Sequence, residues 1–114
     1  MAKLKFSKMH GNGNDFVLIN ALKMKPEVYK KIKKSIKLLS DRRHGVGADQ
    51  VLLLLRSRKA NYEMKIFNAD SSEVEMCGNG IRCFFKYLHE KKITGKKKIT
   101  VSTKAGIITP RFKG

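Results

Sequence analysis

The segment Ile81-Arg-Cys-Phe-Phe-Lys-Tyr-Leu-His-Glu90 decides the predicted fold of this 114-residue chain. Apolar residues recur in it at the spacing of an α-helix, namely Ile81, Phe84, Phe85 and Leu88. Gly95 is the predicted stop just past the end of this helix. Because apolar side chains cover most of its circumference, we expect the helix to lie at the centre of the domain.

Short strand patterns precede and follow this helix. Phe6 and residues 16–19 are predicted strands on either side of a loop at 9–15, and 51–55, 62–67, 99–103 and 107–112 are further strands. A surface helix begins at Pro26 and carries a single apolar stripe, made of Val28, Ile32, Ile36 and Leu39. Residues 40–49 and 68–72 are predicted loops. The pattern predicts the α+β class, with a strongly curved mixed sheet wrapped around the central helix.

Composition excludes several classes of protein. The longest apolar run, at 51–55, is far shorter than the roughly 20 residues that span a bilayer, so we expect no membrane segment. The first residues contain no apolar signal region, which predicts a cytoplasmic location. Two cysteines do not form the disulfide framework of a small secreted domain.

The net charge of +17 raises the alternative of a nucleic-acid-binding module. Twenty of the 26 cations are lysines, and they form runs such as Lys96-Lys97-Lys98 that are typical of a solvated surface. Aromatic residues make up only 8% of the chain, and no stacking pattern alternates with the lysine runs. We therefore favour a solvated basic surface over a nucleic-acid partner, and a basic nucleic-acid-binding module stays an alternative. Six of the nine acids lie instead in three Gly- and Asn-rich segments, namely Asp15, Asp41, Asp49, Asp70, Glu73 and Glu75.

The segment Met76-Cys77-Gly78-Asn79-Gly80 is the most informative for chemistry. Cys77 directly precedes a predicted helix, where the dipole and unpaired N–H groups favour a thiolate. The amides of the next three residues offer a cradle for a carboxylate. The segment thus combines a proton-transfer group with an anion site, although a buried cysteine before a plain turn is the alternative interpretation.

Several amide side chains lie in the other predicted loops and could bind an amino acid, since amides both donate and accept: Asn12, Asn14, Gln50, Asn68 and Asn79. Cys83 lies about 240° around the helix from Cys77, so it is predicted to pack in the core. His10 and His44 each precede a glycine, and we interpret both as structural. No spacing indicates a metal site, a P-loop or a dinucleotide fingerprint.

Three motifs in this order resemble diaminopimelate epimerase. They are His10-Gly-Asn-Gly-Asn-Asp-Phe16, Asp41-Arg-Arg-His-Gly-Val-Gly-Ala-Asp-Gln50 and Phe67-Asn-Ala-Asp-Ser-Ser-Glu-Val-Glu-Met-Cys-Gly-Asn-Gly-Ile-Arg-Cys83. The resemblance weakens toward Gly114. Asn12 stands where the family usually has an apolar residue. Ser71 replaces a glycine that usually supplies a positive φ, so the backbone of that turn is open to change.

The resemblance implies cofactor-independent epimerisation of LL-diaminopimelate to the meso form in lysine biosynthesis, with no metal. By position in the motifs, Cys77 would be one of two proton-transferring cysteines. The substrate-binding residues would be Asn14, Gln50, Asn68, Gly78 and Asn79. Inversion of a carbon requires a base on one face and an acid on the other.

The family has two halves, each contributing one cysteine. The resemblance therefore implies that residues 1–114 are the N-terminal half, that the C-terminal half is an absent partner, and that the chain alone is inactive. Self-association to a homodimer is a further expectation. A related racemase or isomerase of the same fold is the alternative function.

Overall fold

The computed structural model describes residues 6–11, 13–75 and 78–111. The elements in these ranges are β1 (Phe6–Gly11), β2 (Asn14–Asn20), α1 (Pro26–Lys34), α2 (Ile36–Ser40), β3 (Gln50–Leu55), β4 (Tyr62–Asn68), β5 (Glu73–Val74), α3 (Gly78–Glu90), β6 (Val101–Thr103) and β7 (Gly106–Ile108). Within these ranges the strands form one sheet in the order β1-β2-β3-β4-β6-β7, and β5 pairs with β4. β2 runs parallel to β3, and β4 runs parallel to β6, while the other pairs are antiparallel. The predicted α+β class with a mixed sheet is confirmed.

Helices cover both faces of the central strands. On one face, Leu52 and Leu54 belong to a cluster with residues of α3 such as Phe84. On the other face, Val51 and Leu53 belong to a cluster with α1 and α2. Because successive side chains of a strand point to opposite faces, burial on both faces explains the continuous apolar run at 51–55.

The apolar helix α3 packs against one face of the sheet. Its buried residues form one broad side of the helix, and they are Gly80, Ile81, Cys83, Phe84, Phe85, Tyr87 and Leu88. Arg82, Lys86 and Glu90 on the opposite side are exposed. The predicted core position of Cys83 is confirmed, since only 5% of its surface is exposed. The predicted stop at Gly95 is wrong: α3 ends at Glu90, and Lys92 takes the left-handed conformation, with φ 56°, that closes helix ends. None of the described helices has the length and apolar character needed to cross a bilayer.

The surface helix predicted from Pro26 is interrupted. It begins at Pro26 as expected, but α1 ends at Lys34 and α2 starts at Ile36. The Ser35 hydroxyl donates to the Lys31 carbonyl at 3.0 Å, a local bond that bends helices. The predicted stripe is correct at Ile32 and Ile36, which are buried, but wrong at Val28, which is 39% exposed.

The strands also differ in extent from the predictions. The predicted loop at 9–15 is mostly strand, because Gly11 pairs with Asn14 across a tight hairpin in which Gly13 has φ 82°. The strands predicted at 99–103 and 107–112 shorten to β6 and β7, and an isolated bridge joins Lys98 to Arg111. The departure noted at Asn12 falls outside the described residues.

Candidate functional site

The predicted binding residues converge on one edge of the sheet. Asn14 begins β2, Gln50 begins β3 and Asn68 ends β4. Since β2 and β3 are parallel and β4 is antiparallel to both, these three ends lie at the same edge. Gln50 is the direct register partner of Asn68, and all three side chains are half-buried. Three distant segments of sequence thus bring their amides to this edge, where Gln50 and Asn68 are hydrogen-bonded to each other.

The first turn of α3 lies against the same edge. A Cβ atom added to Gly11 would be 3.3 Å from Cβ of Asn79 and 3.5 Å from Sγ of Cys83. Glycine at position 11 therefore permits this close approach of β1 and α3. Gly78 is exposed and Asn79 is half-buried, so the first turn of α3, where unpaired N–H groups favour anions, is accessible beside Gly11.

Four side chains form a continuous hydrogen-bonded series, which we call the polar chain: Gln50, Asn68, Ser72 and Asp70. Gln50 Nε2 donates to Asn68 Oδ1 at 3.1 Å, and Asn68 Nδ2 donates to Ser72 Oγ at 3.1 Å. The Ser72 hydroxyl donates to Asp70 Oδ1 at 2.6 Å. Donation by this hydroxyl and by the Ser72 backbone N–H lowers the pKa of Asp70 below its usual range. The polar chain therefore ends on a stable carboxylate.

The other end of the polar chain carries a buried acceptor. Gln50 Oε1 is inaccessible to solvent, and no described residue donates a hydrogen bond to it. A buried polar atom without a partner loses about 1–3 kcal/mol relative to one that is hydrogen-bonded. This oxygen keeps an unused acceptor site, which a ligand N–H or ammonium group could fill once the groups that cover it move aside.

A second network, the aspartate clamp, joins Asp15, Arg42 and Asp49. The Arg42 guanidinium donates to both carboxylate oxygens of Asp15 at 3.0 Å and to Asp49 Oδ1 at 3.2 Å. The Asp15 and Asp49 backbone N–H groups donate to each other's carboxylates at 3.0 and 2.8 Å. Asp15 follows Asn14, and Asp49 precedes Gln50. The clamp therefore fixes the ends of β2 and β3 that carry two of the amides.

The contacts in the aspartate clamp shift the pKa values of its charged groups. The hydrogen bonds from Arg42 are the largest cause that lowers the pKa of Asp15 well below its usual range, and Lys8 and the Asp49 backbone N–H add to the effect. Lys8 Nζ lies 3.0 Å from Asp15 Oδ2 and also donates to the Gly47 carbonyl. Asp15 in turn raises the pKa of Arg42. The carboxylate of Asp15 is only 13% exposed, so these partners compensate a largely desolvated charge.

The turn between β4 and β5 keeps the backbone that the substituted glycine would adopt. Ser71 has φ 73°, in the left-handed region that favours glycine. The Ser71 N–H donates to the Asn68 carbonyl at 2.9 Å, and the Asn68 N–H donates to the Ser72 carbonyl at 2.8 Å. These bonds hold the turn closed, so serine accepts a strained conformation to place Asn68 and Ser72 together.

The other residues singled out in the sequence have different surroundings. Cys77 lies outside the described residues, so its predicted role stays a prediction. His10 is exposed on β1, and exposed His44 lies 3.7 Å from the Asp41 carboxylate. Among the described residues, no group of three or more His, Cys, Asp or Glu side chains could hold a metal ion.

The sequence interpretation missed the supporting residues. Arg42, Asp49, Asp70 and Ser72 were not assigned roles, although they hold the amides in place. One signal for these residues was present, because six of the nine acidic residues are concentrated in the Gly- and Asn-rich segments. The pairing of Arg42 with Asp15 across 27 positions carried no such signal, because it depends on the parallel β2–β3 pairing.

Solved structures define the class of fold. The chain resembles a PhzF-family phenazine biosynthesis protein of Bacillus anthracis with a TM-score of 0.64, at 23% identity, covering 93% of this chain and 33% of that one. It resembles methylitaconate-delta-isomerase with a TM-score of 0.69, at 11% identity, covering 93% of this chain and 33% of that one. The architecture is thus the fold that these proteins share.

Sequence comparison then gives the family. The family model described as diaminopimelate epimerase matches residues 6–114. The chain is 50% identical over 107 residues to diaminopimelate epimerase of Carboxydothermus hydrogenoformans, covering 94% of the chain and 39% of that protein. It is 47% identical to the Methanococcus maripaludis protein of the same name, covering 91% and 36%. The chain belongs to the diaminopimelate epimerase family, and it spans less than half the length of these curated relatives.

Proposed function

We propose that this chain supplies one half of the active site of a cofactor-independent amino-acid epimerase. The substrate is LL-diaminopimelate, the product is the meso form, and the reaction belongs to lysine biosynthesis in the cytoplasm. One observation carries the proposal beyond family membership: the buried Gln50 Oε1 has no donor among the described residues and lies at the edge where the amides and the α3 N-terminus meet.

The geometry suits an α-amino acid because it offers both kinds of contact. Amide oxygens such as Gln50 Oε1 accept from the ammonium group. The first-turn N–H groups of α3, starting at Gly78, favour the carboxylate and the extra negative charge that develops when the α-proton leaves. Neutral amides and backbone dipoles thus replace a cofactor in stabilising the carbanion. Cys77, the residue before α3, is the proposed group that removes or returns the proton.

Stereoinversion requires a second proton-transfer group on the opposite face of the α-carbon. The only other cysteine, Cys83, is buried among the apolar residues around α3. We therefore assign the second group to the region of the relatives that this chain does not match. The 114-residue chain is expected to bind the substrate weakly and to leave its configuration unchanged.

The proposal is tested first by NMR titration of the ¹⁵N-labelled chain. LL-diaminopimelate is expected to shift the backbone signals of Gly78, Asn79 and Gly80 and the side-chain amide of Gln50. Proline, the control ligand for a related racemase, should leave them in place. If only proline shifts these signals, a related racemase of the same fold becomes the favoured function. If neither ligand shifts them, the proposed binding of an amino acid is wrong.

Catalysis is tested by incubating LL-diaminopimelate in D₂O and following the α-hydrogen by mass spectrometry and the configuration by chiral chromatography. The intact Carboxydothermus hydrogenoformans enzyme serves as the positive control. Turnover by this chain at the rate of that enzyme would contradict the half-site assignment. Cys77→Ser and Cys83→Ser form a matched pair for thiol alkylation of the native chain: loss of rapid labelling is expected only in Cys77→Ser.

A further inference from the structure

We propose that Asp70 and Ser72 are positioning residues that fix the direction of hydrogen-bond donation along the polar chain, which runs from Gln50 to Asp70. Gln50 then presents its Oε1 as an acceptor and selects a ligand ammonium group. Neither residue lies among those predicted to contact substrate. Asp70 acts through three hydrogen bonds in series, from Ser72 to Asn68 to Gln50. The ligand part of this inference rests on the proposed function, whereas the direction of the chain is independent of it.

The direction follows from the one member that cannot donate. An ionised carboxylate only accepts hydrogen bonds, so the single Ser72 hydroxyl proton is committed to Asp70, 2.6 Å away. Ser72 Oγ can then only accept from Asn68, which turns Asn68 Nδ2 toward Ser72 and Oδ1 toward Gln50. Gln50 must therefore donate with Nε2, and its Oε1 is left as the end of the series.

The reversed arrangement is disfavoured while Asp70 stays ionised. If the Asn68 amide were turned over, its Oδ1 would face Ser72 Oγ at about 3 Å, and the Ser72 hydroxyl would have to give up its short bond to Asp70 in order to donate to it. Gln50 would also have to turn and would then present an N–H donor, which suits a carboxylate instead of an ammonium group. The charge on an exposed turn thus determines which ligand group the half-buried Gln50 can accept. Because Ser72 lowers the pKa of Asp70, the carboxylate stays ionised through the neutral range.

The direction is tested without any ligand, through the side-chain amide NMR signals of Asn68 and Gln50 in the 114-residue chain. Ser72→Ala is expected to shift both signals and to speed hydrogen exchange of the Asn68 amide several-fold, since it loses its acceptor. Ser72→Thr retains a hydroxyl and should restore the wild-type signals. Ser57→Ala is the matched control, because Ser57 Oγ likewise accepts in an exposed turn, from Lys59 and Ala60. Unchanged signals in Ser72→Ala would overturn the inference.

Selectivity is tested by comparing LL-diaminopimelate with pimelate, which has the same two carboxylates and no amino groups. The wild-type chain should prefer diaminopimelate, and Ser72→Ala and Asp70→Asn should each reduce this preference by on the order of tenfold, the ratio that one hydrogen bond to a charged group supports. Ser72→Thr and Ser57→Ala should keep the wild-type ratio. An unchanged ratio in both weakened variants would overturn the positioning role. If neither ligand binds the wild type, the proposed function fails, while the amide signals still decide the direction of the polar chain.

Discussion

Substituting Arg42 by alanine should destabilise the chain far more than substituting its neighbour Arg43. Arg42 makes two hydrogen bonds to Asp15 and one to Asp49, whereas the exposed Arg43 side chain makes no ion pair within the described ranges. Comparing the two variants therefore separates the contribution of the clamp to stability from the general effect of removing one cation from a chain of net charge +17.

The magnitude follows from burial on the two sides of the clamp. Asp15 is 13% exposed, but the Arg42 side chain is 60% exposed, so solvent screens much of the attraction. After the change, Asp15 keeps Lys8 and the Asp49 N–H as partners, so the loss is smaller than the 3–5 kcal/mol of a fully buried broken pair. We expect Arg42→Ala to lower the free energy of unfolding by about 1.5 kcal/mol, and Arg43→Ala by less than about 0.5.

Urea unfolding followed by circular dichroism measures this difference. With an m value of about 1.5 kcal/mol/M, the midpoint of Arg42→Ala should fall by about 1 M. The pKa of Asp15 is lowered in the folded state, so its contribution is present above its unfolded pKa of about 3.9 and is lost as the pH falls further. The gap between wild type and Arg42→Ala should therefore narrow from pH 6 to pH 2. Equal midpoints for the two arginine variants at pH 7, or a gap that does not narrow in acid, would refute this reasoning.

Three further predictions, with Gly95→Ala as a control substitution, test the loops and the core by the same measurement. Gly45→Ala places a Cβ in steric overlap with the Leu38 carbonyl oxygen and should lower the free energy of unfolding by about 1–3 kcal/mol. Gly95→Ala, which meets nothing within 4 Å, should change it by less than about 0.5 kcal/mol. Ser71→Gly relieves the positive φ and should raise stability by about 0.5–1 kcal/mol; a loss would show that the turn is unstrained. Phe84→Ala removes a fully buried ring and should lower the free energy of unfolding by about 3–5 kcal/mol, so a loss below about 1 kcal/mol would contradict the packing of α3 against the sheet.

Local patterns predicted the parts of the fold that local physics determines. The spacing of apolar residues in α3, the continuous run of β3 and proline at the start of α1 each reflect a requirement of a single element, and each prediction agrees with the structure. Boundaries were less predictable. The break at Ser35 depends on one hydroxyl bonding to Lys31, and the end of α3 depends on Lys92 in a conformation that glycine usually takes.

The candidate site was only partly visible in the sequence, because its parts are joined by strand pairing. The motifs identified the amide side chains, yet no local pattern shows that Gln50 lies opposite Asn68 or that Arg42 reaches Asp15. Such contacts arise only once the register of β2, β3 and β4 is set. The positive φ at Ser71 is an instructive intermediate case: the substituted glycine identified the position, but only the surrounding hydrogen bonds show that serine keeps the same turn.

Both networks at this edge use carboxylates to hold the segments that carry neutral amide side chains. An amide can present either an oxygen or an N–H group, so an amide on its own does not distinguish an ammonium from a carboxylate. In the polar chain, Asp70 removes that ambiguity for Asn68 and Gln50, and in the clamp, Asp15 and Asp49 fix the strand ends that carry Asn14 and Gln50. In a chain with 26 basic and only nine acidic residues, three of those acids therefore organise the edge where an amino acid is proposed to bind, and Lys8 takes part there through its contact with Asp15.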